Sequence, residues 1–146
     1  MHARALLPLL ALLPLGCALS TGPQADHDAS AQPSNDPGIV FRADRSAYAL
    51  GDTVRLTLRN ETDEPLGYNL CTSIPERRTS AGWARAPLDR FCTAELRILA
   101  PGAQATSPEL LNADWRPGEY RVTTRVERMR SGGGSTAFTQ SFEVRP

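Results

Sequence analysis

Histidine, the side chain that most often transfers protons and binds transition metals, does not occur after residue 38. The chain has two histidines, His2 and His27, and both precede the segment in which we expect the fold. Without a histidine there, that segment cannot supply a Ser-His-Asp triad or a Cys-His nucleophile pair. The sequence therefore predicts a protein that is not an enzyme and that holds no cofactor and no metal.

Carboxylates are the remaining candidates for acid–base chemistry, because two of them placed on either side of a substrate can act as in glycosidases. Here they stand beside Gly, Pro and other turn residues, where acidic side chains bond to the local backbone. The residues concerned are Asp52, Asp63, Glu64, Asp89, Asp114 and Glu119. We expect solvated turns at these positions and not a catalytic pair.

The N-terminus predicts export. A basic start at Arg4 is followed by an apolar run, residues 5–15, that is shorter than the roughly 20 residues a membrane-spanning helix needs. This layout is typical of a signal peptide. The run ends Leu13-Pro14-Leu15-Gly16-Cys17, which resembles a lipobox. The resemblance implies a lipoprotein signal peptide over residues 1–16, and diacylglycerol and palmitate on Cys17. Ordinary cleavage after Ser20 is the alternative.

Lipidation implies a location in the bacterial cell envelope. The predicted partner is then the membrane, contacted through the lipid anchor, and an envelope protein or glycan is the candidate second partner. Ala18 follows Cys17 where an Asp signals inner-membrane retention in some bacteria, so the outer membrane is favoured, facing the periplasm or the cell surface. Sixteen basic residues balance sixteen acidic ones, which argues against a nucleic-acid partner.

The cysteine count agrees with export. Of three cysteines, a lipid on Cys17 leaves Cys71 and Cys92 as an even pair that an oxidising compartment keeps bonded. A bond across that separation contributes about 3 kcal/mol. A nucleophile, a redox couple or a metal site is the alternative, but the pair is not Cys-x-x-Cys and no further soft ligand stands near.

The segment 72–91 is the candidate binding surface. It concentrates residues that protein interfaces favour: Arg77, Arg78, Trp83, Arg85 and Arg90. The alternative is that Trp83 packs over a sheet edge and the arginines solvate it. Farther along, Arg121, Arg125 and Arg128 are expected on the solvent face of a late strand.

Composition divides the chain into three parts. After the signal peptide, residues 17–37 are rich in Ser, Gly, Pro and Gln, and the acids Asp26, Asp28 and Asp36 favour solvation, so we expect a flexible linker. Residues 38–146 alternate apolar and polar side chains between turn signals, as half-buried antiparallel strands do. They predict an all-β antiparallel sandwich of about seven to nine strands.

The clearest strand is 53–59, with Val54, Leu56 and Leu58 in one phase. Segments 76–79 and 83–86 are expected to form a hairpin. The predicted core consists of Val54, Leu56, Leu58, Leu70, Leu96, Ile98, Tyr120, Val122, Val126 and Phe142. Trp115 is expected to join that core.

Two motifs carry a family resemblance. The run from Tyr48 through Gly51-Asp52 to Asn60 is similar to the opening of bacterial immunoglobulin-like domains, and Pro117-Gly118-Glu119-Tyr120 resembles their late tyrosine corner. The segment around Arg77 and Trp83 resembles a hairpin of envelope lipoproteins and of proteinase-inhibitor-like domains. The resemblance covers about residues 46–146 and implies an immunoglobulin-like sandwich. Cys71 and Cys92 do not fit the antibody-type positions, so a bridge is expected to pin the middle hairpin.

Because this fold hosts many unrelated roles, the sequence leaves the function open. The favoured hypothesis is a non-enzymatic lipoprotein whose domain is a binding or structural module on the membrane surface. The alternative, implied only by the resemblance, is a proteinase inhibitor that uses the loop between Cys71 and Cys92, with Arg77-Arg78 as the contact.

Overall fold

The computed structural model describes residues 36–146. The predicted signal peptide, the predicted lipidation site Cys17 and most of the predicted linker lie outside the described residues. The described chain contains eleven strands and a short 3-10 helix, Leu70–Thr72. The strands are β1 (Ile39–Ala43), β2 (Ala47–Ala49), β3 (Thr53–Asn60), β4 (Leu66–Tyr68), β5 (Ile74–Thr79), β6 (Gly82–Arg85), β7 (Arg97–Leu99), β8 (Gln104–Leu110), β9 (Gly118–Arg128), β10 (Gly134–Phe138) and β11 (Phe142–Arg145).

The strands form an all-β sandwich, as predicted. A three-stranded sheet has the order β1-β3-β8, and an eight-stranded sheet is built around β9. On one edge β9 pairs with β4 and β5, and on the other with β10 and β11. The pairing is antiparallel except that β2 runs parallel to β11.

The strand number exceeds the prediction because two long strands are interrupted. The 3-10 helix separates β4 from β5, although both pair with the same edge of β9. A break after Phe138 likewise separates β10 from β11. Each interruption adds a strand without adding a row to the sheet.

The core lies between the sheets and follows the predicted alternation of β3 and β9. Eight of the ten predicted core residues are buried, and Trp115 joins them, as expected. The prediction is wrong for Leu96 and Ile98, which are 49% and 56% exposed. Leu99 pairs with buried Leu66, which places Ile98 opposite Gly67 on the outer face. A shift of one residue in phase exchanges the two faces of a strand.

The tyrosine corner is present at one end of the sandwich. The Tyr120 hydroxyl donates to the Arg116 carbonyl at 2.8 Å and accepts from the Arg116 amide at 3.0 Å. A second tyrosine stabilises the turn between β1 and β2 in the same way. The Tyr48 hydroxyl donates to Asp44 Oδ1 at 2.7 Å and accepts from the Arg45 amide at 2.8 Å. Burial and the hydrogen bond to Asp44 raise the pKa of Tyr48 to about 12.

Candidate binding surfaces

The structure divides the five residues of the predicted binding surface among three places. Along β5 and β6, side chains alternate between the core and the solvent, and the cross-strand pairing of Arg78 with Trp83 puts both on the outer face. Arg85 pairs with Glu76 on that same face. Arg77 has the opposite phase, and Arg90 lies beyond β6 in an irregular loop. The predicted hairpin is confirmed, but the five residues do not form one patch.

The outer face of this hairpin carries an arginine stacked between aromatic rings, here termed the arginine–aromatic face (Glu76, Arg78, Trp83, Arg121 and Phe138). The Arg121 guanidinium lies 4.7 Å from the Trp83 ring centroid and 4.6 Å from that of Phe138. Its Nε donates to Glu76 Oε2 at 2.6 Å. Sequence reasoning did not connect Arg121 or Phe138 to this site. Trp83 is half-buried.

Arg77 serves the fold and not the surface. Its Nη2 donates to the Pro117 carbonyl at 3.0 Å, which ties β5 to the turn before β9. The guanidinium lies directly over Gly118, where a Cβ would stand 2.9 Å from Arg77 Nε and where φ is +148°. The backbone conformation therefore favours glycine at this position. Because Arg77 lies in a strand, Arg77-Arg78 is not the exposed loop that the inhibitor hypothesis needs.

The loop between β6 and β7, residues 86–96, is here termed the anchored loop. Arg90 donates to the Glu109 carboxylate on β8 and to the Ser73 carbonyl, so one side chain crosses from the eight-stranded to the three-stranded sheet. Asn69 Nδ2 donates to the Thr93 carbonyl at 2.8 Å. The predicted disulfide between Cys71 and Cys92 is present, with a Cα–Cα distance of 5.6 Å. It fastens this loop to the 3-10 helix.

Phe91 stands between two of these attachments and is 100% exposed. Its neighbours Arg90 and Cys92 are each bonded to another part of the domain. A phenylalanine is usually buried, and here its backbone is held while its ring is left in solvent. The sequence carried one unused signal of this, an aromatic residue placed directly before a paired cysteine.

Three more exposed apolar side chains lie together on the outer face and are here termed the apolar patch: Leu96, Ile98 and Met129. Leu96 and Met129 both reach over Gly67, because a Cβ added there would lie 3.1 Å and 3.0 Å from their side-chain atoms. Ile98 is the cross-strand neighbour of Gly67. They are 44–56% exposed, so the patch is only partly covered by the domain itself.

Two of the carboxylates predicted to lie in solvated turns are placed otherwise: Glu119 is part of β9, and Glu64 is buried in the domain. Glu64 is 6% exposed. Its Oε1 accepts from Arg128 Nη1 at 2.8 Å and from Ser131 Oγ at 2.7 Å, and its Oε2 accepts from the amides of Arg130 and Ser131 at 3.1 and 2.9 Å. The turn 61–65 thus folds its acid inward, and four donors satisfy it.

Arg128 and Asp36 complete this ionic cluster and correct two further expectations. Counting by twos from Arg121 and Arg125 puts Arg128 in the opposite phase, so it does not share their solvent face. It binds both Glu64 and Asp36, and Ser135 Oγ also donates to Asp36. The composition predicts Asp36 in the solvated linker, but Asp36 is paired here, because the chain has already reached the end of the sandwich.

The ionic cluster shifts the acidity of its members. The hydrogen bond from Arg128, with those from Ser131, lowers the pKa of Glu64 to about 2. Arg128 and Ser135 lower the pKa of Asp36 in the same way, while Asp36 and Glu64 raise the pKa of Arg128. All three groups therefore stay charged at neutral pH. They stabilise a closed end of the sandwich, and nothing in this geometry poises a proton for transfer.

Within residues 36–146, no group of three or more His, Cys, Asp or Glu side chains is arranged to hold a metal ion. The same part of the chain contains no helix of the length and apolarity needed to cross a membrane.

Comparison with known proteins gives little. No protein-family model matches the chain, and no curated protein matches it. Among solved structures it is similar to Pseudomonas fluorescens alkylpurine DNA glycosylase AlkC bound to DNA containing an abasic site analog, with 19% sequence identity and a TM-score of 0.40. The match covers 73% of this chain and 29% of that one. A similarity of this size supports no inference about activity or ligand.

Proposed function

We propose that the chain is a lipoprotein of the bacterial cell envelope, anchored through Cys17, whose sandwich is a non-enzymatic binding module. The observation that carries the binding role is Phe91, whose ring is fully exposed on a loop fixed on both sides of it. The partner that suits this feature is an envelope protein with an apolar pocket.

The anchored loop has the energetic properties of a binding element. Aromatic residues are enriched at interface cores, and a few such anchors supply most of the binding energy. Ordering a loop on binding costs free energy, so a loop that is already held in place binds its partner more tightly. Arg90, Asn69 and the disulfide already hold this one.

Two features support export and anchoring. The lipobox-like run ending at Cys17 follows a short apolar segment, which is the order of parts in a lipoprotein precursor. The bond between Cys71 and Cys92 is of the kind that persists outside the reducing cytoplasm. The favoured membrane is the outer one, since Ala18 follows Cys17.

Site-specific crosslinking in the native cells tests the binding role. A photoreactive phenylalanine analogue replaces Phe91 in the full chain, and the control carries it at Arg42, an exposed residue of β1. We expect one discrete protein adduct at 91 and none at 42. Equal labelling at the two positions would remove the reason for assigning the binding role to Phe91.

A separate measurement tests the anchor. Cys17→Ser should leave the protein unprocessed or soluble and without lipid mass. Normal membrane retention with unchanged mass in that variant would refute the lipobox interpretation without affecting the crosslinking result.

A proteinase inhibitor is the second candidate, favoured by the same disulfide-tied loop with Phe91 in place of Arg77-Arg78. Inhibition assays against proteases that cleave after aromatic residues test it, with Phe91→Ala as the control. Slow-dissociating inhibition that Phe91→Ala abolishes would select this candidate, and absence of inhibition would remove it.

A further inference from the structure

We propose that the apolar patch of Leu96, Ile98 and Met129 rests on the lipid surface that holds the anchor, an inference that rests on the proposed lipidation of Cys17. The partner is the boundary between headgroups and acyl chains, where exposed apolar side chains are stabilised. The contact would orient the domain on its membrane, which a lipid anchor alone does not do.

The patch lies near the residue at which the predicted linker enters the domain. Asp36, the first described residue, is bound to Arg128 at one end of the sandwich. Met129 is the next residue along from Arg128, and its amide donates to the Pro65 carbonyl at 3.0 Å. In the sheet, β7 lies beside β4, and β4 lies beside the last residues of β9. The patch therefore lies at the end where the chain from Cys17 arrives.

The length of that chain permits the contact. Eighteen residues separate Cys17 from Asp36, and fully extended they span at most about 65 Å. Tethering at this range raises the effective concentration of the surface, so a contact too weak to recruit a free domain is formed by an anchored one.

The charges beside the patch favour an apolar contact over an electrostatic one. Arg97 pairs with Glu95 at 3.3 Å, and Arg125 pairs with Glu127 at 3.6 Å. These two pairs cancel, and exposed Arg130 next to Met129 donates to the Asp63 carbonyl, so a single unbalanced basic charge lies beside the patch, fewer than the cluster that attracts anionic headgroups. The contact should form equally on neutral lipid and persist in salt.

A second copy of the chain fits the patch less well. Strand addition needs an edge, and β7 offers only three residues flanked by charges, which is how sheets discourage such pairing. A stable interface buries about 800 Å² per partner, and three side chains that are already half covered fall well short of that.

Fluorescence quenching by brominated lipid tests the proposal on the full lipidated protein in phosphatidylcholine vesicles. The probe protein carries Ile98→Trp with Trp83→Phe, and its control carries Arg42→Trp with Trp83→Phe; both retain buried Trp115. We expect about threefold more quenching at 98 than at 42, because only the patch reaches the acyl boundary. Equal quenching, or quenching that needs anionic lipid and disappears in salt, would overturn the contact.

A second set of variants ties the signal to the patch. Leu96→Ser with Met129→Ser in the Ile98→Trp protein should remove most of the excess quenching. Leu50→Ser with Leu110→Ser changes two leucines that are 38% and 57% exposed elsewhere, and it should have no effect. A matched loss in both sets would contradict the proposal, as would a dimer in solution that Ile98→Ser dissociates.

Flotation separates the two proposals. A protein that does not float with the vesicles refutes the anchor and, with it, this contact. A protein that floats while position 98 is quenched no more than position 42 refutes the contact alone.

Discussion

At one end of the sandwich four buried aromatic rings pack together, whereas at the other end a guanidinium and two carboxylates form an ion-pair cluster. At the aromatic end Trp115 packs against Tyr120 at a tilt of 51° with centroids 4.8 Å apart, and Phe142 and Tyr48 form a T-shaped pair at 5.3 Å. The ionic end joins Asp36, Glu64 and Arg128. Each end ties the turns that close it.

The two chemistries differ in what they depend on. Ring packing depends on shape and buried area and changes little with pH. Charge pairing depends on protonation, and it also attaches the start of the described chain to the body of the domain. The end at which the described chain begins is therefore the end whose closure responds to acid.

The largest effect is expected at the aromatic end. Phe142→Ala should lower the free energy of unfolding by about 3 to 5 kcal/mol, because the ring is fully buried and leaves a cavity. Urea unfolding at pH 7 measures it. Phe138→Ala is the control, because that half-buried ring lies outside the core. Equal costs for the two variants would mean that the rings do not close this end.

Removing the disulfide should loosen the anchored loop, which lies between the two ends, and leave both ends of the sandwich intact. Cys71→Ser with Cys92→Ser should cost about 2 to 4 kcal/mol and expose residues 86–96 to proteolysis first. Limited proteolysis followed by mass spectrometry locates the first cut. First cleavage in the turns 61–65 or 112–117 would show instead that the bridge supports an end of the sandwich.

Glu64→Gln should remove the pH dependence of stability that the Glu64 carboxylate gives to the ionic end. The folded pKa of about 2 lies below the ordinary value of 4.5, so Glu64 contributes stability above pH 4.5 that is lost as the pH falls toward 2. The variant should therefore be less stable at pH 7 and equal to the native protein near pH 2. Unfolding curves at several pH values measure this.

The control for that experiment is Glu95→Gln, which removes an exposed pair with Arg97 and should change little at any pH. A constant difference between native protein and Glu64→Gln from pH 7 to pH 2 would contradict the charged state of the cluster.

The smallest effect concerns a single hydroxyl at the aromatic end. Tyr120→Phe keeps the ring and removes both hydrogen bonds to Arg116, which should cost about 1 kcal/mol. Thermal unfolding detects it. Tyr68→Phe, on β4, is the control. A larger loss of stability in Tyr68→Phe than in Tyr120→Phe would show that the hydrogen bonds of the corner do not stabilise this end.

Much of the aromatic end could be predicted because its signals are local. Tyr120 follows Pro117-Gly118, a pattern that identifies the corner within a few residues. The ionic end gives no such signal, since Arg128 lies 64 residues from Glu64 and 92 from Asp36. One clue was available in the spacing. Arg125 and Arg128 differ by an odd number, so a strand cannot show both on one face.

The candidate site was predictable only in outline. The region 72–91 and the disulfide were found from residue types and cysteine parity. The assignment of each side chain was not, because Arg77 and Arg78 are adjacent and their faces depend on how β5 pairs with β9. Arg121 and Phe138 belong to segments far from Trp83 in the chain, and only packing brings the three side chains together.

The sequence by itself determined the class of fold, the alternation of β3 and β9 and the pairing of Cys71 with Cys92, because periodicity and composition are properties of short segments. Tertiary structure decided which phase of a strand is buried. Leu96 and Ile98 alternate as regularly as core residues do, but the pairing of Leu99 with Leu66 turned them outward. The pleat makes successive side chains point to opposite faces of the sheet. Only the pairing with the partner strand decides which of these faces lies against the core.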